Sequence, residues 1–365
     1  MNNNKYIGLD IHQSSIVTAV HNHQGKCVME SIIETKAQTI RDFIKSISGT
    51  VHVVFEEGAQ AAWLYDLINP LVAEVVVCNP RANNSSGNKS DRVDANKLAQ
   101  MLRMGSLRGV YHGQAGVRAL KELTHGYESL VSDTTRVMNR IKAIYRARGV
   151  RGVRCSGTSV YQSCHREQWL SELQEESGMR RRAEYLYRGL DTLGQLRREA
   201  RRDMIREAQR HRAYKILRRV PGLGPIRVAQ IIAVVGTPYR FRTKRQFWAY
   251  CGLAVVTRSS AEYEFLGGKV RKRHRGIATR GLNDNHNHNR RMKEVFKGAA
   301  VDAIKRGIFK EYYEGLVTNG MRAEIAWLQI ARKIGAIALA VWKRGEDFDQ
   351  DRVRVIGQTA QGQGA

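Results

Sequence analysis

Four carboxylates at the ends of predicted secondary-structure elements have the types and spacing that could do chemistry. Asp91 and Asp94 lie three residues apart in a predicted first helical turn, so both project from one face of that helix. Asp10 ends the first predicted strand and Glu56 ends the fourth. Like charges in one place repel unless a cation lies between them. Because carboxylate oxygens suit hard divalent cations, the four acids predict a Mg²⁺ (or Mn²⁺) site of the kind that assists phosphoryl displacement.

Each of these acids also has a simpler explanation. Aspartate is common in a first helical turn because it complements the helix dipole, and a lone aspartate after a strand is often a turn residue. Glu57 competes with Glu56 for the second position, because side chains alternate between the two faces of a strand. We favour Glu56, which directly follows the predicted strand.

The elements that must position the acids occur in an α/β order. Ser90 stands where a helix N-cap belongs, ahead of the apolar positions Val93, Leu98 and Leu102. Three strands followed by alternating helix and strand is the order of an RNase H-like sheet, in which active groups collect at strand ends. The predicted strands are 5–11, 15–21, 27–34, 51–55 and 74–78, and the predicted helices between them are 37–47 and 59–67.

Charge is the strongest global signal in the sequence. The chain has 61 Lys and Arg residues against 34 Asp and Glu, a formal net charge of +27. Residues 1–110 have a net charge of only +1, so nearly all of the excess lies in residues 111–365. This distribution predicts one unit for chemistry and a basic remainder that holds polyanions, with nucleic acid as the partner.

Other global features narrow the class further. No apolar run approaches about 18 residues, so we expect no membrane span. The N-terminus has no signal-peptide apolar region. The five cysteines are scattered and form no CxxC pair, which fits a reducing cytosol and argues against a zinc ribbon or a disulfide framework.

The basic remainder begins as two long amphipathic helices. Apolar residues recur at helical spacing over about 114–148 and again over about 165–219, where we expect interruptions near Gly178 and Gly189. These helices predict an antiparallel hairpin or coiled coil, which serves as a spacer, lies along phosphates or assembles protomers. The segment VPGLGP (220–225) before an apolar helix is typical of a helix-hairpin-helix, and further helices are predicted at 244–253, 292–306 and 320–343.

The segment 254–262 is a predicted loop that contains Ser259 and Ser260, and a cationic run follows at 269–275. A serine beside arginine could attack phosphorus if a base or a metal activates it, although most loop serines are ordinary polar residues. His286 and His288 lack carboxylate or cysteine partners at ligand spacing, so we interpret them as part of a polar loop. The predicted nucleic-acid contacts are Lys89, Arg92, Arg258, Lys269, Arg271, Lys272 and Arg273.

Six motifs, in chain order, link this sequence to a known family: GLDIH (8–12), VVFEEG (53–58), NKSDRVDANKLA (88–99), VPGLGPIRVAQIIAVVG (220–236), RQFWAYCGLAVVTRSS (245–260) and GLNDNHNHNRRMKEVFKGAA (281–300). With them the chain resembles, over nearly its whole length, the DEDD-type transposases of the insertion sequence 110 family. The resemblance implies a RuvC-like domain (1–110), a coiled-coil insertion (111–210) and a mainly helical transposase domain (211–350). The composition of the last residues, which include GQTAQGQGA (357–365), predicts a disordered tail (351–365).

The same resemblance implies a DNA recombinase with a nucleophilic serine and a covalent phosphoserine intermediate. Matched residue by residue, the serine is Ser260, with Ser259 as its near neighbour, and Ala261 stands where the family usually has glycine. The implied partners are donor and target DNA, a structured guide RNA, and further copies of the chain in a dimer or tetramer. The implied location is the bacterial cytoplasm, with the protein associated with the nucleoid when bound.

Two other hypotheses stay open. A structure-specific endonuclease would use the four acids to activate water, and Ser260 would take no part. A nucleic-acid-binding scaffold would use the acids only as helix caps and turn residues.

Overall fold

Two compact units, residues 1–113 and 114–365, make up the computed structural model of the chain. The structure describes residues 3–79, 90–107, 109–110, 115–150, 159–173, 178–254, 256–257, 263–266, 269–272, 279–280 and 288–349. The predicted tail 351–365 lies outside these residues.

The first unit is built on a five-stranded mixed sheet. The strands stand in the order β3-β2-β1-β4-β5, with β2 antiparallel to β1 and β3, and with β4 parallel to β1 and β5. The strands are β1 (Asn4–Ile11), β2 (Ser15–Asn22), β3 (Cys27–Glu34), β4 (Thr50–Glu56) and β5 (Glu74–Cys78). All five strands predicted from sequence are present, with bounds that agree to within one residue.

Helices cover both faces of this sheet. They are α1 (Ala37–Ser46), α2 (Ala61–Ile68) and α3 (Asp91–Arg103). Ile7 and Leu9 of β1 are buried in one core with Ile44 of α1 and Leu64 of α2. Because alternate residues of a strand face opposite sides, the residues between them face α3. Thus α1 and α2 pack on one face, and α3 packs on the other.

An antiparallel pair of long helices begins the second unit. α4 (Ala115–Ala147) packs along α6 (Gly178–Gln209), and the short α5 (Arg166–Ser171) joins them. Buried Tyr145 and Tyr187 meet near one end of the pair, with 3.1 Å between their hydroxyl oxygens. The interruption predicted near Gly189 is wrong, because α6 runs through that residue. A glycine costs a helix about 1 kcal/mol relative to alanine, which a long, packed helix tolerates.

Shorter helices form the rest of the second unit around one apolar core. They are α7 (Arg212–Arg218), α8 (Pro225–Val235), α9 (Lys244–Tyr250), α10 (Arg290–Lys305), α11 (Lys310–Thr318) and α12 (Ala323–Arg344). Two short strand pairs also occur: β6 (Val256–Thr257) with β9 (Thr279–Arg280), and β7 (Tyr263–Leu266) with β8 (Lys269–Lys272). Of these strands, β6 lies in the segment 254–262 that was predicted as a loop.

By length and composition, α12 is a helix that could cross a membrane. Its residues Ile330, Ile334 and Ala338 are buried in the core of the second unit, together with Phe247 and Phe296. The core helix of a soluble protein passes the same length and composition test, so this finding is weak evidence for a membrane span. We interpret α12 as a core helix.

Candidate metal centre

The start of α3 places the two aspartates predicted from sequence. Ser90 is the N-cap, and its hydroxyl accepts a hydrogen bond from the Val93 N–H at 3.4 Å. Asp91 and Asp94 therefore lie in the first turn, as predicted. Val93 itself is half exposed, whereas Leu98 and Leu102 are buried. Val93 and Leu98 are five positions apart, about 140° around the helix axis, so Val93 lies off the buried face.

Gly8 lets α3 approach the sheet closely. A Cβ atom at Gly8 would lie 2.0 Å from the Ala95 carbonyl oxygen and 2.7 Å from the Ala99 nitrogen, both backbone atoms of α3. Any side chain there would collide with the helix. The glycine two residues before Asp10 is thus what allows the helix carrying Asp91 to pack against the strand carrying Asp10.

A side-chain network fixes the same helix to β2 and β3. The buried His21 Nε2 donates a hydrogen bond to Asn96 Oδ1 at 2.8 Å. The Asn96 amide donates in turn to Glu30 Oε1 at 2.5 Å and to the Arg92 carbonyl at 2.9 Å. These bonds link the second turn of α3 to two neighbouring strands, so the position of Asp91 and Asp94 over the sheet is set by both packing and hydrogen bonding.

Strand register places Asp10 and Glu56 side by side. β1 and β4 are parallel, and Leu9 is paired with Phe55, so the next residues, Asp10 and Glu56, occupy equivalent positions. Leu9 and Phe55 are buried toward α1 and α2, and the following residues therefore fall on the α3 face. By the same alternation, Glu57 falls on the other side, which favours Glu56 as the candidate.

Asp10 and Asp91 meet through a residue that the sequence-based prediction missed. His12 Nε2 lies 3.3 Å from Asp10 Oδ2 and 3.2 Å from Asp91 Oδ2. One ligand atom from each of the three residues lies within 4.8 Å of the other two. The signal was present in GLDIH, since residues two apart in an extended strand share a face.

The electrostatics at Asp10 reflect a concentration of negative charge. Burial raises the pKa of the Asp10 carboxyl above its ordinary value, while the neighbouring His12 lowers it. The charges of Asp91 and Asp94 raise it further. Asp94 is therefore close enough to act on Asp10, although it is not a member of the three-residue ligand group.

The residues present fit a divalent cation. The carboxylates of Asp10 and Asp91, which are distant in sequence, converge with the imidazole of His12. Glu56 lies on the same face of the sheet as Asp10, and Asp94 lies in the same helical turn as Asp91. Carboxylates are ligands for Mg²⁺ and Mn²⁺, and imidazole is a ligand for several transition metals. Glu56 is outside the group of converging ligand atoms among the residues that the structure describes.

The remaining site residues predicted from sequence fall in three groups. Arg92 is exposed beside Asp91, and Lys269 and Arg271 are exposed on β8, two residues apart. Lys272 ends the same strand. Outside the described residues lie Ser259, Ser260, Lys89, Arg258 and Arg273.

The predicted helix-hairpin-helix segment forms α7, a turn and α8. Gly222 has φ +78°, and a Cβ there would lie 2.2 Å from the Ala299 carbonyl oxygen of α10, so this glycine is required for packing. The start of α8 opens into a cavity of about 740 Å³ within the second unit. Four arginines line the cavity together with acidic Glu128 and Glu294: Arg201, Arg227, Arg290 and Arg291.

A mixed sheet with acids at its strand ends, in a chain whose remainder is strongly basic, is the arrangement expected of an enzyme that acts on nucleic acids with the help of a metal ion. Residues 7–146 match the family model DEDD_Tnp_IS110, described as a transposase. Residues 214–314 match the model described as Transposase IS116/IS110/IS902 family. The chain belongs to the IS110 family of transposases, and it is a DNA transposase/recombinase. No protein of curated function matches the chain.

Proposed function

We propose that this transposase cuts and rejoins the DNA of an insertion sequence at a divalent-metal site formed by Asp10, Glu56, Asp91 and Asp94. The observation that carries the proposal is the meeting of Asp10 and Asp91, which are far apart in sequence, around one point. Capping alone would not require Asp91 to approach a strand-end carboxylate. When bound, the cation would polarise the scissile phosphate and lower the pKa of the attacking hydroxyl.

The fold of the first unit supports a RuvC-like assignment. The order β3-β2-β1-β4-β5, with three antiparallel strands followed by two parallel additions, agrees with the RNase H-like sheet expected from sequence. The antiparallel pairing of α4 and α6 supports the coiled-coil assignment in the same way. We further propose that protomers assemble through that pair into a dimer or tetramer.

For the nucleophile we propose Ser260. Its hydroxyl oxygen would form an ester bond to the DNA phosphorus as one strand ester bond breaks, and the leaving oxygen would take up a proton. Attack by the hydroxyl of another strand would then re-form a DNA ester and release the serine. The number of phosphoester bonds is unchanged, so no external energy source is needed.

The basic second unit supports a role in holding polyanions. Its net charge, the exposed Lys269 and Arg271, and the arginine-lined cavity offer contacts to phosphates of any sequence. We propose that a structured, bridge-type guide RNA pairs with donor and target DNA and supplies the sequence specificity, while the protein holds the backbones.

The test is a strand-cleavage reaction with labelled DNA, followed by denaturing electrophoresis. We expect a covalent protein–DNA adduct in the wild type, which Ser260→Ala abolishes and Ser259→Ala retains. Asp91→Asn should abolish both cleavage and adduct, and Asp42→Asn, an exposed acid of the same unit, should leave both intact. Cleavage without an adduct in all serine variants would instead identify a RuvC-like endonuclease that uses water.

The RNA proposal has a separate test. RNA that co-purifies with the protein should be of defined sequence and should pair with the ends of the element and with its target. Co-purifying RNA of random sequence would refute the guide, without affecting the proposed metal site.

A further inference from the structure

We propose that His12 is a metal ligand through Nε2, and that this nitrogen makes the site prefer Mn²⁺ over Mg²⁺. The inference deepens the proposed function and rests on its metal site. It assigns a direct role in metal binding to a residue outside the four acids.

The spacing of the three atoms suits coordination. His12 Nε2 is 3.3 Å from one carboxylate oxygen and 3.2 Å from the other. Metal–ligand bonds of about 2.1 Å place adjacent ligand atoms about 3.0 Å apart in octahedral geometry and about 3.4 Å apart in tetrahedral geometry. The two separations from Nε2 fall between these values, and all three ligand atoms lie within 4.8 Å of one another. A cation can therefore be held if the two carboxylates adjust their positions around it.

The backbone holds His12 in this position. Its N–H donates to the Ser15 carbonyl at 2.9 Å, and its own carbonyl accepts a hydrogen bond from Thr35 Oγ1 at 3.1 Å. One polar backbone group of His12 is thus tied to the first residue of β2, and the other to the residue that follows β3. Metal binding therefore has to immobilise only the imidazole side chain, because hydrogen bonds already hold the backbone of the residue.

The donor chemistry gives the direction of the preference. Mg²⁺ is a hard cation that favours oxygen ligands. Imidazole nitrogen is a softer ligand, which transition-metal ions accept more readily than Mg²⁺ does. A site of carboxylates alone would discriminate weakly between Mg²⁺ and Mn²⁺. Adding one nitrogen at the centre of the cluster favours Mn²⁺.

The alternative for His12 is an imidazolium ion that pairs with the two carboxylates in the absence of metal. In that case a bound cation would displace the ring rather than use it. The two possibilities differ in one observable, which is direct bonding between the metal and nitrogen.

The experiment uses the full-length chain and Mn²⁺ alone. Pulsed electron paramagnetic resonance of bound Mn²⁺ should show coupling to a directly bound ¹⁴N nucleus in the wild type. The coupling should disappear in His12→Ala and persist in His23→Ala, an exposed histidine of the same unit that serves as the matched control. His12→Gln, which keeps a polar side chain in the loop, should lose the coupling as well.

Affinities provide the second readout. By titration we expect His12→Ala to weaken Mn²⁺ binding about tenfold and Mg²⁺ binding by less than about twofold. Bound Mn²⁺ without ¹⁴N coupling, or coupling that survives in His12→Ala, would overturn the inference. If Asp10→Asn and Asp91→Asn still abolish Mn²⁺ binding in that case, the proposed metal site stands; if they leave binding unchanged, both fail.

Discussion

Replacing Gly8 with alanine tests whether close helix packing assembles the proposed metal centre. The added Cβ would lie 2.0 Å from a backbone oxygen of α3, and such contacts are essentially never closer than 3.0 Å. The obstacle is backbone, so rotation of a side chain cannot relieve it. The helix must retreat from β1 by at least about 1 Å, in the range of backbone shifts that overpacked cores show.

Two consequences follow from that movement. Overpacking of this kind costs about 1–3 kcal/mol in the free energy of unfolding. The retreat also draws Asp91 away from His12 Nε2, now 3.2 Å distant, and misplacement by about 1 Å can cost about 100-fold in rate. Gly8→Ala should therefore lose more in DNA cleavage and Mn²⁺ affinity than its loss of stability explains.

Gly109→Ala is the matched control. It lies in the same unit, and a Cβ there would meet its nearest neighbour at 3.8 Å, an ordinary contact. Urea unfolding gives the stability of both variants, and Mn²⁺ titration gives the state of the site. A Gly8→Ala protein with the stability and Mn²⁺ affinity of Gly109→Ala would refute the reasoning.

Three further changes have outcomes that follow from the structure. Asp10→Asn should stabilise the metal-free protein at neutral pH, because the raised pKa of the Asp10 carboxyl means that folding disfavours its ionised form. The gain should vanish in acid, where Asp10 itself is protonated, and thermal unfolding measured against pH tests this. Asp191→Asn should destabilise the folded protein by less than about 1 kcal/mol near pH 7, because the exposed Asp191 pairs with Arg166 through two hydrogen bonds. The pairing lowers the pKa of Asp191, so its contribution to stability is lost as the pH falls through that lowered pKa. Gly222→Ala should lower the free energy of unfolding by about 1–3 kcal/mol through overpacking, in addition to the strain of its positive φ. Gly224→Ala, whose added Cβ would have no atom within 4 Å, should lower it far less, and urea unfolding measures both.

Each of these has a clear contrary result. A metal-free Asp10→Asn protein that is less stable at neutral pH would mean that the ionised carboxylate stabilises the fold. An effect of Asp191→Asn that stays constant down to about pH 2 would not come from a charged pair. Equal costs at the two glycines would show that contact with α10 is unimportant.

The first unit could be predicted from sequence because its signals are local. Strands β1 to β5 are short β-branched and apolar runs bounded by turns, and Ser90 is an explicit cap for α3. The convergence of Asp10 with Asp91 was predicted only as a property of the fold class. No local pattern contains the close approach at Gly8, which depends on two segments that are distant in sequence.

The second unit shows where local signals fail. α11 was missed because its sequence, KEYYEGLVT, has no clear apolar stripe, and it begins and ends near Gly307 and Gly320, both with positive φ. The sequence analysis assigns no strand to β8, because its Lys and Arg residues obscure the alternation of apolar residues. His12 stands two residues after Asp10, but its proximity to Asp91 arises only when α3 packs on β1.

The spacing of Gly8, Asp10 and His12 joins folding to chemistry in one strand. Gly8 and Asp10 face α3, while Ile7 and Leu9, which alternate with them along the strand, fill the core on the other side. A slip of one residue would place a carboxylate in that core and an isoleucine or leucine against the backbone of α3. The strand therefore cannot be displaced to vary the site without unfolding the sheet. The chemistry of this centre can therefore change only through replacement of side chains at fixed positions. Of Gly8, Asp10 and His12, the exposed His12 is the residue that can be replaced without disturbing the core.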